Sequence, residues 1–369
     1  MILTSEERLA YVTLAMVPGI GATRLGNLAK VFGSWTGALT APVEFLGTVP
    51  GIQPPVAAAI GKVDRGEVER MLAGIGERGE FLLTPFDPDF PDRLRDIDEP
   101  PVVLFGIGKR EWLADPAVAI VGSRHPTGYG VFAAREIARM AAEAGLVVVS
   151  GMARGLDAVA HWAAVDVDGR TIGVLGNGIG VIYPKSNQAL YQRVSEAGLL
   201  LTEHPPGQPP HRGSFPARNR LISGLARATV VVEAAVKSGA LSTAAAALAQ
   251  NRDVFGVPGN ITSPTSRGVN LLLRDGALVY LEPDDLLARY PEVPAAIRAR
   301  FGVANSDEPG ARLCGEVKRV WEVLDRVPRT ADDLAMQLDL PTSGLLRAIT
   351  ELELAGLVTR EGAGFRRHG

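Results

Sequence analysis

At 369 residues the chain is longer than one ordinary domain, and ~150 residues per domain points to two or three. Its 46% hydrophobic and 21% charged residues suit a globular core, no run reaches the ~18 apolar residues of a membrane span, and a single cysteine excludes an internal disulfide or a Cys-rich zinc site. A net charge of −3 excludes a globally basic nucleic-acid binder, so any such function must come from local clusters of Lys and Arg.

The start, MILTSEERLAYV, has no basic segment followed by an apolar run, so no signal peptide is read and a cytoplasmic protein is expected. Residues 1–80 are rich in Ala, Leu and Gly and read as short helices. Val17-Pro18-Gly19-Ile20-Gly21 forces a tight turn between two apolar-periodic stretches, 6–16 and 22–31. Val49-Pro50-Gly51-Ile52 repeats the motif before a helix at 54–60, with Gln53 where the last Gly would sit. A helix-hairpin-helix or SAM-like domain is expected over 1–80, its Gly-rich turn able to offer N–H groups to a DNA phosphate. Asp87, Asp89, Asp92, Asp96 and Asp98 then read as a solvated acidic loop.

From 84 to 282 short β-branched runs alternate with Ala-rich helical stretches. Strands are predicted at 118–121, 146–149, 171–175, 199–201, 229–232, 254–257 and 278–280, and helices at 129–143, 157–165, 187–196, 217–225 and 243–250. Strands apolar on both faces and separated by helices imply a mostly parallel sheet covered on both sides, a Rossmann-like doubly wound α/β layer. Residues 283–311 carry Pro and acidic residues with few apolar anchors and read as a linker. Residues 312–369 read as three helices (315–326, 331–338 and 342–355) and a hairpin over 357–367, which is a winged helix. Its third helix has Arg347 as its one cation, opposed by Glu351 and Glu353, which suits a protein contact at least as well as a DNA groove. Arg360, Arg366 and Arg367 on the wing remain available for a backbone.

Several loops of the central domain end a strand in Gly and small polar residues and open a helix. The first holds Gly122-Ser123-Arg124, the second Gly151-Met152-Ala153-Arg154-Gly155. Glycines permit close approach, free N–H groups at a helix start attract anions, and Arg124 and Arg154 can fork onto phosphate. A tight turn alone also uses glycines, but two such loops at one sheet edge favour a phosphate site. Lys185 and Asn187 follow a Gly-rich turn, and Lys237-Ser238-Gly239 forms another strand-to-helix loop. Phe215-Pro216-Ala217-Arg218-Asn219-Arg220 places an aromatic ring before a helix, able to stack on a base or to fill the core. Arg218 and Arg220 cannot share one helical face, so one is expected to reach the ligand while the other braces the fold.

Other chemistries find no support. Gly176-Asn177-Gly178-Ile179-Gly180-Val181 lacks the third Gly of a dinucleotide fingerprint and runs into Tyr-Pro rather than a helix. There is no P-loop motif, and His125, His161, His204, His211 and His368 form no metal-binding pattern. Asp157 and His161, four apart, are read as a helix-side hydrogen bond.

The succession AIVGSR, VVVSGMARGLDAVAH, GVLGNGIGVIYPKSN, LLLTEHPPG, FPARNRLISGL, VVVEAAVKSGALSTA, VFGVPGNITSP and GVNLLLRDGA closely resembles the DNA-processing protein A (DprA, or Smf) family across residues 84–281. The resemblance implies a protein that binds single-stranded DNA, protects it during natural transformation and loads the RecA recombinase onto it, as a homodimer without cofactor or catalytic activity. By motif it places Arg124, the loop 151–155, Lys185, Phe215, Arg218 and Lys237 along the family's DNA groove, and the block holding Leu271, Leu272 and Leu278 near its dimer surface. Thr202 stands where members often carry Ser. The rival enzyme reading rests on nucleoside-monophosphate phosphoribohydrolases of similar architecture, whose P-G-G-x-G-T-x-x-E motif supplies a catalytic Glu. Here that region, 237–246, runs KSGALSTAAA and has no carboxylate for acid–base work. A second rival is a winged-helix transcription regulator whose central domain senses a nucleotide.

Overall fold

The structure, a computed structural model, describes residues 3–301, 313, 315–324, 328–338, 340–354, 357–362 and 364–367. It forms two units, one up to Phe301 and one from Gly302 onward. No helix among the described residues is long and apolar enough to cross a membrane.

A nine-stranded sheet organises the first unit. Its strands are β1 (Glu80–Leu83), β2 (Leu104–Gly108), β3 (Ala117–Val121), β4 (Val147–Ser150), β5 (Thr171–Val174), β6 (Leu199–Thr202), β7 (Ala228–Val231), β8 (Asp253–Gly256) and β9 (Leu278–Val279), in the order β1-β2-β6-β5-β4-β3-β7-β8-β9. From β6 to β9 every pairing is parallel, as the two-faced apolar runs predict, and β3 to β7 are wholly buried. β1 and β2 are antiparallel additions that the sequence reading did not place. They are short and lie at the start of the domain, and the one-turn helix Asp92–Arg95 between them is too short to mark a βαβ unit. The chain leaves β3 in both directions, to β4 on one side and β7 on the other. The strand ends beside β3 therefore form the crevice where open α/β sheets bind ligands.

Two expected boundaries shift. The N-terminal helices do not stand apart at 80–84. Tyr11, Leu14 and Leu25 share one core cluster with Leu82, Phe105, Leu190 and Leu200 of the sheet side, and the Tyr11 hydroxyl donates to the Val102 carbonyl at 3.0 Å. The acidic loop is also paired rather than merely solvated: Asp87 binds Arg8 at 2.5 Å and accepts from the Thr84 amide at 2.6 Å, while Asp89 and Asp92 pair with Arg110 and Arg95. The expected linker begins too early. Helices Pro283–Leu287 and Ala295–Phe301 fold onto the domain, burying Leu286, Leu287, Tyr290 and Val293 in the cluster that includes Val118, Val148 and Phe255. Pro283 opens a helix there, and its four apolar anchors were masked by the prolines and acids around them. Residues 302–311 lie outside the described residues, as do Cys314 and His368.

The second unit holds helices Gly315–Val323, Ala331–Leu338 and Thr342–Leu354 and a three-stranded sheet of Arg329–Thr330, Val358–Glu361 and Gly364–Arg367 around Trp321, Leu334, Leu345 and Ile349. Its wing arginine Arg367 lies over the Trp321 ring at 4.3 Å and donates to the Trp321 carbonyl at 2.7 Å. That residue braces the unit and is not a free cation.

Because Leu287 is fully buried, Leu287→Ala should lower the stability of the first unit by about 2–5 kcal/mol, read as a shift of its urea midpoint. A change near zero would return this segment to the status of a linker.

Candidate nucleic-acid interface

Parallel strands bring their C-terminal ends, and hence their loops, to one edge of the sheet. The loop after β3 carries Gly122, Ser123 and Arg124, and the loop after β4 carries residues 151–155. The two pack backbone on backbone. The Leu156 amide donates to the Ser123 carbonyl at 3.1 Å, and a Cβ at Gly155, whose φ is +78°, would lie 2.3 Å from that carbonyl oxygen. A Cβ at Gly122 would strike Leu156 at 2.4 Å. These glycines are required by contact between loops, whatever binds above them.

The loop amides do not wait for an anion. The Gly151 and Ala153 amides donate to Asp157 Oδ2 at 3.1 and 3.4 Å. At the start of helix Gly128–Glu143, the Thr127 amide and hydroxyl donate to buried Glu233 at 3.0 and 2.5 Å. Internal carboxylates thus fill two positions expected to cradle phosphate. Burial pushes the Asp157 carboxyl above its ordinary range despite the nearby Arg218 guanidinium.

Beneath the loops, Arg218 is 5% exposed. Its Nη1 donates to the Gly151 carbonyl at 2.7 Å and to the Val174 carbonyl, tying together the chain ends beyond β4 and β5. Burial lowers its pKa to about 10, against the pull of Asp157. Arg220 is also a brace, its fork meeting both Glu203 oxygens at 2.6 Å and its Nε the Glu99 carbonyl at 2.8 Å. Both members of this pair are held by internal acceptors, and Arg218 also lines both cavities that open over the loops. Met152 is 2% exposed and offers a ligand little surface. Asn187 spans the loop from outside, donating to the Met152 and Ala153 carbonyls at 3.1 and 3.0 Å. Asn219 ties its helix to the next through the Gly239 carbonyl and Ser242 Oγ. Asp157 and His161 bond to other partners, not to each other: His161 Nδ1 lies 2.7 Å from Thr171 Oγ1.

Two adjoining cavities of about 540 and 660 Å³ open over this floor. Arg124, Arg154 and Lys185 line the first, and Arg124, Arg212, Lys237, Ser238 and Gly239 the second. Arg124, Arg154, Lys185, Arg212 and Lys237 are exposed, and none makes an ion pair or side-chain hydrogen bond with any described residue. Phe215 and Tyr183 line both cavities, their ring centroids 5.2 Å apart at 36°. Phe215 does not precede its helix but sits in its first turn, Ser214–Leu225, with Pro216 tolerated where the N–H would be unbonded. Sequence reasoning missed Arg212, His125 and Tyr183. The first lies late in the long Pro- and Gly-rich loop after β6, far from the strand end, and the other two flank motifs chosen for their cations. Among the described residues no cluster of His, Cys, Asp and Glu could hold a metal ion.

Residues 81–291 match the model of a family described as DNA recombination-mediator protein A, and residues 305–364 match the DprA winged helix domain. The chain belongs to the DNA recombination-mediator protein A family. Protein Smf of Synechocystis sp. is 33% identical over 390 residues, covering 97% of this chain and 98% of that protein. The X-ray structure of DNA processing protein A from Streptococcus pneumoniae superposes with a TM-score of 0.67 at 31% identity, over 78% of this chain and 98% of that one. A second member, from Helicobacter pylori, reaches a TM-score of 0.50 at 32% identity over 54% of this chain and 90% of that one, in a structure described as giving insight into a unique single-stranded DNA binding mode. The blocks quoted from the sequence fall almost wholly inside the matched 81–291.

Below this loop edge, burial and the Arg218 charge hold the fully buried His161 imidazole neutral, with its pKa lowered from 6.5 to about 3. The unfolded chain therefore binds a proton that the folded one refuses between those values. Stability is full above pH 6.5 and falls on acidification, by about 1.4 kcal/mol per pH unit from this residue. Urea titrations from pH 7 to pH 5 should show a steeper loss for the wild type than for His161→Gln. Parallel pH dependences in the two proteins would contradict the assignment.

Proposed function

We propose that this chain binds single-stranded DNA along the ridge formed by the loops after β3, β4, β5, β6 and β7, and holds it for a recombinase. The observation that carries this reading is the set of five cations, without partners among the described residues, around two adjoining cavities in a chain whose net charge is −3. An unpaired surface Arg or Lys is ordinary, but five around one crevice, with the only carboxylate there, Asp157, buried and engaged, make a polyanion track. The 31–32% identity to DNA processing proteins of known structure, one of them described for its single-stranded DNA binding mode, supports the same ligand class. Exposed Tyr183 and half-exposed Phe215 between the cations give bases a face to stack on. The cations act as forks and point charges on phosphates, the rings act on bases, and no residue is assigned a bond-breaking role. Delivery of the strand to RecA, and the protection of incoming DNA in natural transformation, are parts of this proposal that membership in a recombination-mediator family supports.

A homodimer is part of this reading. The sheet ends at β9, and Leu272 and Leu278, proposed earlier for the interface, pack half-buried against the chain's own core, with Leu271 half-buried beside them. Val279 and Leu281 stand 44% and 75% exposed at the same edge. Leu281→Glu should shift the protein toward monomer in sedimentation velocity, and an unchanged profile would move the interface elsewhere.

Fluorescence anisotropy across a salt series tests the ligand. Wild-type protein should prefer single strands to duplex. Arg124→Ala, Lys185→Ala and Arg212→Ala should each weaken single-strand binding and reduce the slope of log K against log salt by about 0.7. Unchanged affinity in all three would remove the ridge, and a sequence-specific duplex footprint would favour a transcription regulator instead.

A further inference from the structure

The opposite edge of the sheet, where the parallel strands begin, carries a second group of arginines. Arg227 and Arg252 stand immediately before β7 and β8, and Arg93 comes in from the helix Asp92–Arg95. Arg93 Nη1 donates to the Asp115 and Leu225 carbonyls at 2.9 and 3.3 Å, and Arg252 Nη2 donates to the Arg93 carbonyl at 3.3 Å. The carboxylates beside them are already engaged. Asp115 pairs with Arg170, Asp253 with Arg289, and Glu292 meets both Nη atoms of Arg227. Asp92, next to Arg93 in the chain, pairs with Arg95. Arg93, Arg170, Arg227, Arg252 and Arg289 therefore face three carboxylates, and neither Arg93 nor Arg252 makes an ion pair with a described residue. Burial, and then the like charges of Arg227 and Arg252, hold the Arg93 pKa below its ordinary range.

The two uncompensated arginines differ. Arg93 is a brace whose fork closes on backbone. Arg252 is half-buried and spends only Nη2, which leaves Nε and Nη1 donating to no described residue. A half-buried charge that no carboxylate meets attracts an anion more strongly than a fully solvated one does, because less water screens it. A polar seam leads to it from the second cavity. The helices Ser214–Leu225 and Gly239–Ala249 lie side by side, and both run from the cavity edge to the opposite one. At the cavity end Asn219 donates to Ser242 Oγ at 2.7 Å, and both residues line the cavity. Further along, Ser223 Oγ donates to Gln250 Oε1 at 2.8 Å, and Gln250 Nε2 donates to the Arg220 carbonyl at 2.9 Å. Arg252 follows two residues later. Ala246, four residues from both Ser242 and Gln250, lies on the same helix face between them. Neither helix carries a carboxylate that would repel a phosphate.

We propose that a single strand bound at the cavities continues along this seam, and that Arg252 holds one of its phosphates at the far edge. The reach is short, since a strand of four residues such as β7 spans about 13 Å. This inference rests on the single-strand reading above and extends the bound length beyond the loop ridge. The charge of Arg252 then serves the nucleic acid, whereas that of Arg93 serves the fold.

The test compares two oligothymidines by fluorescence anisotropy with full-length protein: the shortest that the wild type binds, and one of about thirty nucleotides, longer than a single site of about 4–16. Arg252→Ala should bind the long strand about threefold more weakly than wild type, with the slope of log K against log salt reduced by about 0.7. Ala246→Glu, which sets a carboxylate on the seam, should weaken the long strand by at least as much. Both variants should bind the short strand as wild type does, which also shows them folded with the cavities intact. Arg252→Ala with wild-type affinity for the long strand overturns the proposal, and so does a variant that weakens both strands alike. If wild type binds neither strand, it is the single-strand reading itself that fails.

Discussion

The binding edge depends on the buried guanidinium of Arg218. One side chain, from the helix Ser214–Leu225, holds the carbonyls of Gly151 and Val174 at the ends of neighbouring strands. Gly151 has to be glycine because a Cβ there would lie 2.7 Å from both the Arg218 fork and the Asp157 carboxylate. Asp157 then gathers the amides of the same loop, and Asn187 takes its outer carbonyls. The loop after β4 is thereby fixed from below, within and outside, and it can present Arg154 without any ligand to order it. Buried charges are costly unless compensated, and here the compensation is the geometry of the site itself.

The same bookkeeping explains how an acidic chain makes a cationic surface. Carboxylates near the sheet edge are turned inward onto backbone donors, as with Asp157 and Glu233, or matched to arginines away from the crevice, as with Glu203 and Arg220 or Asp87 and Arg8. What remains at the rim is positive. Loop amides capped by internal anions contribute little to a phosphate, so affinity rests on side-chain cations. It is therefore open to screening by salt in a way that a backbone cradle would not be.

The sheet was legible because strands buried on both faces have a strong signature, uninterrupted β-branched runs between Ala-rich helices. Its antiparallel seam was not, because LFGIG in β2 carries two glycines and EFLL in β1 only four residues. Lys185, Arg124, Arg154 and Lys237 were legible as site candidates from their position after strands. The direction of a side chain was not. Arg218 lies between Arg220 and the exposed Phe215 region in sequence, and nothing in that order tells a buried brace from a ligand contact. Burial is decided by which helix face meets β4 and β5, a fact of packing. The folding of residues 283–301 was hidden for a related reason: four anchors between Leu286 and Val293 are too few for periodicity, yet sufficient once a core is there to receive them.

The two cavities also bear on the kind of strand the edge admits. Cations line both, and Tyr183 and Phe215 line both as well. In a duplex the base faces are stacked and the Watson–Crick edges engaged, and freeing one base costs the pairing and stacking that hold it. A single strand has no such debt and can lay a base against a ring while its phosphates follow the cations. The proposed preference for single strands then needs no steric gate against duplex, because a duplex could use the cations alone and would leave the rings unmatched.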